Sequence, residues 1–582
     1  MGGMRRSGTV LAVLAAVAAT VAGAAVGATT RYADDDAPRA ISVFPAAGTQ
    51  TASPRSEISL RGAAPDRLEG VTVTGSRTGR HTGRLAAHSD GRGASFVSAR
   101  RFARGETVTV DTGDRTVRFR IAANRQGMPP SPPSPRVSFA KQTRRYHSRP
   151  DLRPPRITIH KPAEEGVAPG LLFLGPKQRN QEGGLIVDDA GEPVWVNPTP
   201  PGRRVNDFRV QEWRGKPMLT WWQGRTTLGF GEGRGVIANS SYEVVKRVSA
   251  GNGYRADMHE FRITPENTAL MLVYQFTRRD LRRWGGGRRQ QVVDSIVQEI
   301  DIPTGRVLFE WHSLGQVGLG ESVEAVPQSV NKEHDYFHVN SVDKDADGNY
   351  LVSARHTSAV YKISGRTGQV IWRLGGKKSD FRLGKGASFH KQHDARFQDD
   401  GTIRILDNSD EAHRHRTRSI VLRLDEKAKT ASLVREVGHG KLFASTQANS
   451  QPLPNGNLLI EWGSQGRVTE HDAAGHAILD VELPDGYDSY RGYRFPWTGT
   501  PKGRPSVAGT AKAVYASWNG ATEVATWELL AGPSADALTP VREVPRAGFE
   551  TRIPGGEGRF VAVRAKAADG TVLGTSAAER RG

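Results

Sequence analysis

Two short patterns alternate from Ile157 to about Trp497, and no other feature of the sequence restricts the fold as strongly. The first is an apolar strand, an acidic or glycine turn, and a second strand that usually carries an aromatic. It occurs as IVDDAGEPVWV (Ile186 to Val196), IDIPTGRVLFEW (Ile300 to Trp311), ISGRTGQVIWRL (Ile363 to Leu374) and HDAAGHAILDV (His471 to Val481). The second precedes it in several units, at Met258 to Leu272, Phe337 to Val352, Gln392 to Leu406 and Gln447 to Glu461; the last three copies start 55 residues apart. A four-stranded unit of about 40–50 residues is the size of a propeller blade, and one blade cannot bury both of its faces alone. Roughly 340 residues at that period give six or seven blades.

The flanks read differently. Residues 41–122 are short alternating strands between Gly, Asp and Arg turns, as in Thr107-Val-Thr-Val110 and Thr116-Val-Arg-Phe-Arg-Ile121, and point to a small β-sandwich. Residues 123–155 contain MPPSPPSP (Met128 to Pro135) and a basic, proline-containing stretch, which reads as an extended linker between domains. The propeller region is bounded at 156–498. Beyond it, residues 505–578 read as one more sandwich, and Trp518 followed by an alternating strand around Trp527 resembles a fibronectin type III domain. The expected fold class is therefore all-β, a propeller between two small sandwiches.

Residues 1–30 begin with Arg5 and Arg6, continue as an uncharged Ala/Val-rich run from Gly8 to Ala28, and are followed by Asp34-Asp-Asp36. This is the outline of a signal peptide or a membrane anchor, and either places the folded part outside the cytoplasm. The chain has no cysteine, which excludes disulfides, a lipobox anchor, thiolate metal sites and cysteine nucleophiles. A net charge of +20 would suit nucleic acid, but the arginines are scattered and aromatics do not alternate with them on any strand, so no nucleic-acid partner is expected. A positive field around a pocket would instead draw in small anions.

Histidines mark the second pattern. His259, His338 and His393 stand just inside its first strand, where the fourth copy has Ala448. Matching inner-strand positions of a propeller face one channel, so these side chains are expected to converge. Arg355 ends the strand after the Asp/Gly turn of the His338 unit, and a hairpin would return it beside His338. Three imidazoles and a guanidinium make an anion site. The competing reading has the histidines only closing each repeat against backbone. A zinc site from the three histidines is the other option, set against Arg355, which would repel a cation. Asp343-x-Asp345-x-Asp347-Gly348 matches half of an EF-hand loop, but position twelve is Ala354 rather than Glu, and it reads as a hairpin turn.

Four segments, Tyr336 to Phe381, Gln392 to Asn408, ADMHEF (Ala256 to Phe261) and LTWWQG (Leu219 to Gly224), resemble the bacterial arylsulfotransferase family in its actinobacterial and fungal-like branch, over roughly Pro155 to Trp497. The resemblance implies a six-bladed propeller that moves a sulfuryl group from an aryl sulfate donor to a phenolic acceptor through a sulfated histidine, with no phosphoadenosine cofactor. It places the nucleophile at His393, in the Gln-His motif, and supporting roles at His259, His338 and Arg355. The chain departs from the enterobacterial members in lacking their cysteine pair and in its flanking domains. Two further classes compete: a non-catalytic extracellular propeller that binds an anionic or sulfated ligand, and a quinoprotein dehydrogenase, which shares the Gly-x-Val-x-Trp turn.

Overall fold

The computed structural model describes residues 41–130, 142–177, 182–410, 412–413, 416–555 and 558–582; the signal or anchor expected at residues 1–30 lies outside them. The regular secondary structure of the described residues is almost entirely β-strand, with only short 3-10 turns besides.

Among the described residues from Leu171 to Phe495, six antiparallel meanders follow one another in a propeller-like succession, four as four-stranded sheets and the fifth and sixth each extended to five strands, the fifth by Arg382–Leu383 pairing in parallel with Thr430–Gly438. The two sequence patterns are the two hairpins of one meander. In the fourth, Val339–Lys344 and Tyr350–Ala354 form the first hairpin, and Ala359–Ile363 and Val370–Gly375 the second. The first meander is assembled from both ends of the region. Leu171–Leu174, Gly183–Val187 and Pro193–Pro198 supply three strands, and Gly492–Phe495 adds the fourth, with Leu172 opposite Arg494. Thr158–Lys161 joins the outer edge of the sixth.

The strands of the middle meanders are apolar at consecutive positions because both of their faces are covered. In Thr268–Arg279, Leu270 and Leu272 enter the core shared with the fourth meander, around Trp311, Val352 and Tyr361. Their neighbours Ala269, Met271 and Val273 face the core shared with the second, around Trp222 and Ile237. Successive side chains point to opposite faces, so one strand serves two interfaces.

Where the innermost strands meet, the core is ionic. The Glu260 carboxylate accepts from Arg396 at 2.7 Å, Arg491 at 2.9 Å and Arg209 at 3.1 Å, three arginines from three other meanders. Asp207 accepts from Arg491 at 3.0 Å, and Asp394 from Arg396 and Arg404 at 2.9 and 3.0 Å. The three guanidiniums hold Glu260 well below the usual carboxylate range against the opposing effect of its burial.

Two sheets at residues 42–120 share one core, with Leu60 and Phe96 from one and Val73, Val108 and Phe119 from the other. Phe44 and Ala46 leave that unit to pack into the core of the third and fourth meanders. Beneath them Thr51 lies beside a fully buried His312, whose ring contacts Asp294 at 2.7 Å and Glu310 at 3.1 Å. At the other end, sheets built on Ala513–Ser517 and Thr526–Gly532 enclose Val514, Ile553, Trp527 and Val563. The proline-containing stretch 142–155 is folded against the body: Leu152 is 1% exposed, and Tyr146 lies 4.5 Å from Phe549.

Candidate active site

A cavity of about 1030 Å³ opens where the inner ends of the meanders converge, and His259, His338, Arg355 and His393 all line it. Strand starts carry the histidines, although not in strict register. His393 is the first residue of His393–Phe397, His338 immediately precedes Val339–Lys344, and His259 lies two residues before Phe261–Ile263. The ladder slips between Val339 and Ser341 and again between His393 and Arg396. His338 itself has φ +53°, a left-handed conformation uncommon for any residue but glycine. These irregularities turn unequal positions toward one space.

The hairpin expected to return Arg355 does so. Its backbone N–H donates to the His338 carbonyl at 2.9 Å, and the following N–H, of His356, to Phe337 at 3.0 Å. The Arg355 guanidinium is held from two sides, with Nη1 donating to His356 Nε2 at 2.9 Å and Nη2 to the Ser445 carbonyl at 3.1 Å. Its Nε–H is buried and has no acceptor among the described residues. A cationic donor without a partner at a cavity wall is positioned for a ligand oxygen.

Each histidine stands on a partner that fixes its tautomer. His259 Nδ1 pairs with Asp257, and His338 Nδ1 with Asp335. A carboxylate only accepts, so both rings carry the proton on Nδ1 and leave Nε2 free. His259 and His338 are close, with ring centroids 5.1 Å apart, and Tyr274 lies 5.6 Å from each. His356 donates from Nδ1 to the Asp335 carbonyl at 2.5 Å. Burial and the neighbouring His338 bring its pKa down to about 3, so it orients Arg355 as a neutral ring.

His393 differs from the others. Its Nδ1 faces the side-chain oxygen of Asn408 at 2.7 Å, and Asn408 is anchored in turn by donating to the carbonyls of Ala444 and Gln447 at 2.9 and 3.0 Å. With the amide nitrogen thus committed, its oxygen accepts from Nδ1–H, and the lone pair lies on Nε2. Nε2 receives one long contact, from the Gln447 N–H at 3.3 Å. Burial foremost, then Arg355, pushes the His393 pKa well below the ordinary value, while Asn408 opposes the shift. His338 is lowered in the same way by burial, His259 and Arg355.

Aromatic and aliphatic surface completes the wall. Tyr490 lies 5.3 Å from His259, Phe230 lies 6.4 Å from His338, and Leu228 and Met258 also line the cavity. Lys177, paired with Asp488 at 2.9 Å, and Arg203 add positive charge.

The Asp343 to Gly348 segment is a hairpin turn, as expected. Asp343 is taken by Arg262 at 3.1 Å and the Phe397 N–H at 3.1 Å, and Asp345 by Lys362 at 3.2 Å. The metal-capable group in the cavity among the described residues is Asp335, His338 and His356, not the three predicted histidines. His338 Nδ1 is already paired with the Asp335 carboxylate and His356 Nδ1 with the Asp335 backbone carbonyl, and Arg355 stands 2.9 Å from His356.

Sequence reasoning missed Asp257, Asp335, His356 and Asn408. The first two sit two and three residues before a histidine already singled out, and His356 directly follows Arg355. Asn408 had no local signal, since it meets His393 only through strand pairing.

Residues 209–483 match the family model for arylsulfotransferase (ASST). No curated protein matches the chain. Similar solved structures include a protein of unknown function from Bacteroides caccae, 18% identical over 56% of this chain and 98% of that chain, with a TM-score of 0.36. The β-propeller domain of Cps50 (Swd1) from Myceliophteria thermophila is 12% identical over 56% and 96%, with a TM-score of 0.28. Virginiamycin B lyase from Staphylococcus aureus is 8% identical over 61% and 96%, with a TM-score of 0.24.

Proposed function

We propose, from the match of residues 209–483 to the arylsulfotransferase family model, that this chain transfers a sulfuryl group from an aryl sulfate to a phenol in two steps through His393, without a phosphoadenosine donor. The observation that carries this reading is the contrast between His393 and its neighbours. Its ring alone rests on an amide, which fixes the tautomer without making the ring a strong base, and it shares a cavity with an unpartnered guanidinium N–H.

In the first step Nε2 of His393 attacks sulfur, the Gln447 contact is released, and the S–O bond to the aryl group breaks. The departing phenoxide takes a proton from Nε2 of His259, which for this step carries a proton on each ring nitrogen with Nδ1 against the Asp257 carboxylate; His338, whose pKa burial, His259 and Arg355 depress, stays neutral beside it. The imidazole Nδ1 proton of His393 is held by Asn408, so the sulfated ring keeps its charge spread between the amide and the sulfuryl oxygens. Arg355 receives the oxygens whose charge grows in the transition state. In the second step the acceptor phenol gives its proton to the same neighbouring histidine, its oxygen attacks sulfur, and the N–S bond breaks, restoring neutral His393.

We also propose the finer architecture: the six meanders close as a six-bladed propeller between two sandwich domains, and residues 1–30 direct or anchor the protein outside the cytoplasm. The reaction is tested with a chromogenic aryl sulfate, with and without a phenol. Native protein should release the chromophore faster when phenol is present, His393→Ala should release none, and mass spectrometry in alkali should find the sulfuryl on the His393 peptide. Full turnover in His393→Ala, or an adduct elsewhere, removes the mechanism. Binding of the aryl sulfate without turnover supports a non-catalytic anion-binding propeller instead.

A further inference from the structure

The two central strands of the third meander overshoot their sheet. Thr268–Arg279 and Gln290–Asp301 pair along twelve residues each, but the outer strand Val307–His312 reaches only to Ile296. The six paired positions beyond it extend about 20 Å. The overhang runs beside the cavity loop, where Val293 N–H donates to His334 and His334 N–H to Gln291, and His334 lines the cavity.

At the tip, residues 278–289 read RRDLRRWGGGRR, six arginines against one aspartate. Arg282 is committed to Asp280 at 2.6 Å, and Arg278 to the Arg289 carbonyl and Asn331. Arg288 and Arg289 are exposed and their side chains form no ion pair among the described residues. Trp284 is 39% exposed although it is among the largest apolar side chains in the protein. Beside it Val323 and Val330 are 41% and 40% exposed. They belong to one surface: a methyl group on Gly320 would touch the Trp284 indole at 3.3 Å, and one on Gly287 would meet Val330. The same loop, through Ala325 and Pro327, lines the cavity on its other side.

We propose that this tip docks on the surface of a bilayer containing anionic lipid, with Trp284, Val323 and Val330 at the level of the headgroups and Arg288 and Arg289 on the lipid phosphates. Tryptophan favours that depth because its ring is apolar and its N–H is polar, and clustered arginines are drawn to an anionic leaflet. A soluble polyanion would use the arginines but has no use for two exposed valines beside an indole. Docking would set the cavity mouth at the lipid surface. The proposal stands independently of the reaction, since binding is read without turnover.

The absence of cysteine allows a local test in the full chain. A polarity-sensitive dye on Val330→Cys should shift to the blue with phosphatidylcholine vesicles containing phosphatidylglycerol and not with phosphatidylcholine alone. The same dye on Ser534→Cys, exposed in the C-terminal unit, should not respond. Adding Arg288→Ala and Arg289→Ala should weaken the Val330→Cys response at least tenfold, whereas Arg67→Ala with Arg80→Ala, the same loss of charge elsewhere, should leave it unchanged. No shift at Val330→Cys, an equal shift with either lipid or at Ser534→Cys, or a response indifferent to the two tip arginines overturns the proposal. A shift with dextran sulfate and none with vesicles overturns it in favour of a soluble polyanion.

Discussion

Replacing Arg355 with lysine keeps the positive charge of the cavity and removes only its shape. The guanidinium is fixed by His356 at 2.9 Å and Ser445 at 3.1 Å, and this leaves Nε–H buried and unanswered. A lysine has one nitrogen on a flexible stem, so it can occupy one of those positions and cannot be held at two while donating at a third. The donor lost is one that acts on charge developing in the transition state, worth about 2.7–4 kcal/mol. At 1.36 kcal/mol per decade that is a fall in kcat of about 100- to 1000-fold. The persisting charge should hold the KM of an aryl sulfate within about tenfold, because ground-state attraction needs no fixed geometry. Steady-state kinetics with 4-nitrophenyl sulfate and phenol separates the two terms, and near-ultraviolet circular dichroism controls for folding. A lysine variant with kcat within threefold of native would refute the assignment of Arg355 as the oxyanion donor.

Three further outcomes follow from other contacts. Asn408→Asp should raise the basicity of His393, which burial and Arg355 now depress; since a lowered histidine stays neutral as pH falls, the acid limb of kcat/KM should move upward by at least about one unit, and a variant that is merely slower with an unmoved profile counts against the tautomer argument. Glu260→Gln leaves three buried guanidiniums short of a countercharge and should cost about 3–5 kcal/mol in denaturant unfolding followed by tryptophan fluorescence, while the exposed Glu165→Gln should stay within about 0.5 kcal/mol of native. His312 is raised from 6.5 to about 9 by Asp294 and Glu310 against its own burial, so its stabilisation is complete below pH 6.5 and is lost as pH rises through 9; about 3 kcal/mol of unfolding free energy should disappear over that window, and His312→Gln should flatten the slope.

The sequence was most legible where period and turn chemistry agree. All eight quoted segments lie on hairpins of the meanders, because an Asp/Gly turn between apolar runs leaves few alternatives. The second meander, Arg204–Trp213 through Val244–Val248, shows neither repeat pattern since its long strands lack the acidic turn, and only Leu219 to Gly224 within it carried a signal. The strand Gly492–Phe495 escaped notice because its partner lies far away in the chain. Of the site, the groups that face the cavity were readable as histidines in a repeat with an arginine a hairpin away. The groups beneath them were not. Asp257 and Asp335 look like ordinary turn acids, and Asn408 acquires its role only when two strands align His393 with Leu406.

That distant partner also sets an order of events. Leu172 waits for Arg494, more than three hundred residues later, before the first meander has its fourth strand. Bringing such ends together costs about 5 kcal/mol in loop-closure entropy, growing only slowly with length. Contacts this remote make for slow folding. Until residue 495 has emerged, Leu171–Leu174 presents a bare apolar edge, a template for pairing with another chain. A chain arrested anywhere short of Gly492 should therefore be handled as an aggregation-prone intermediate, whereas a circular permutant that joins residues 492–495 directly to Leu171 would nucleate that sheet as a local hairpin and should fold faster to the same set of meanders.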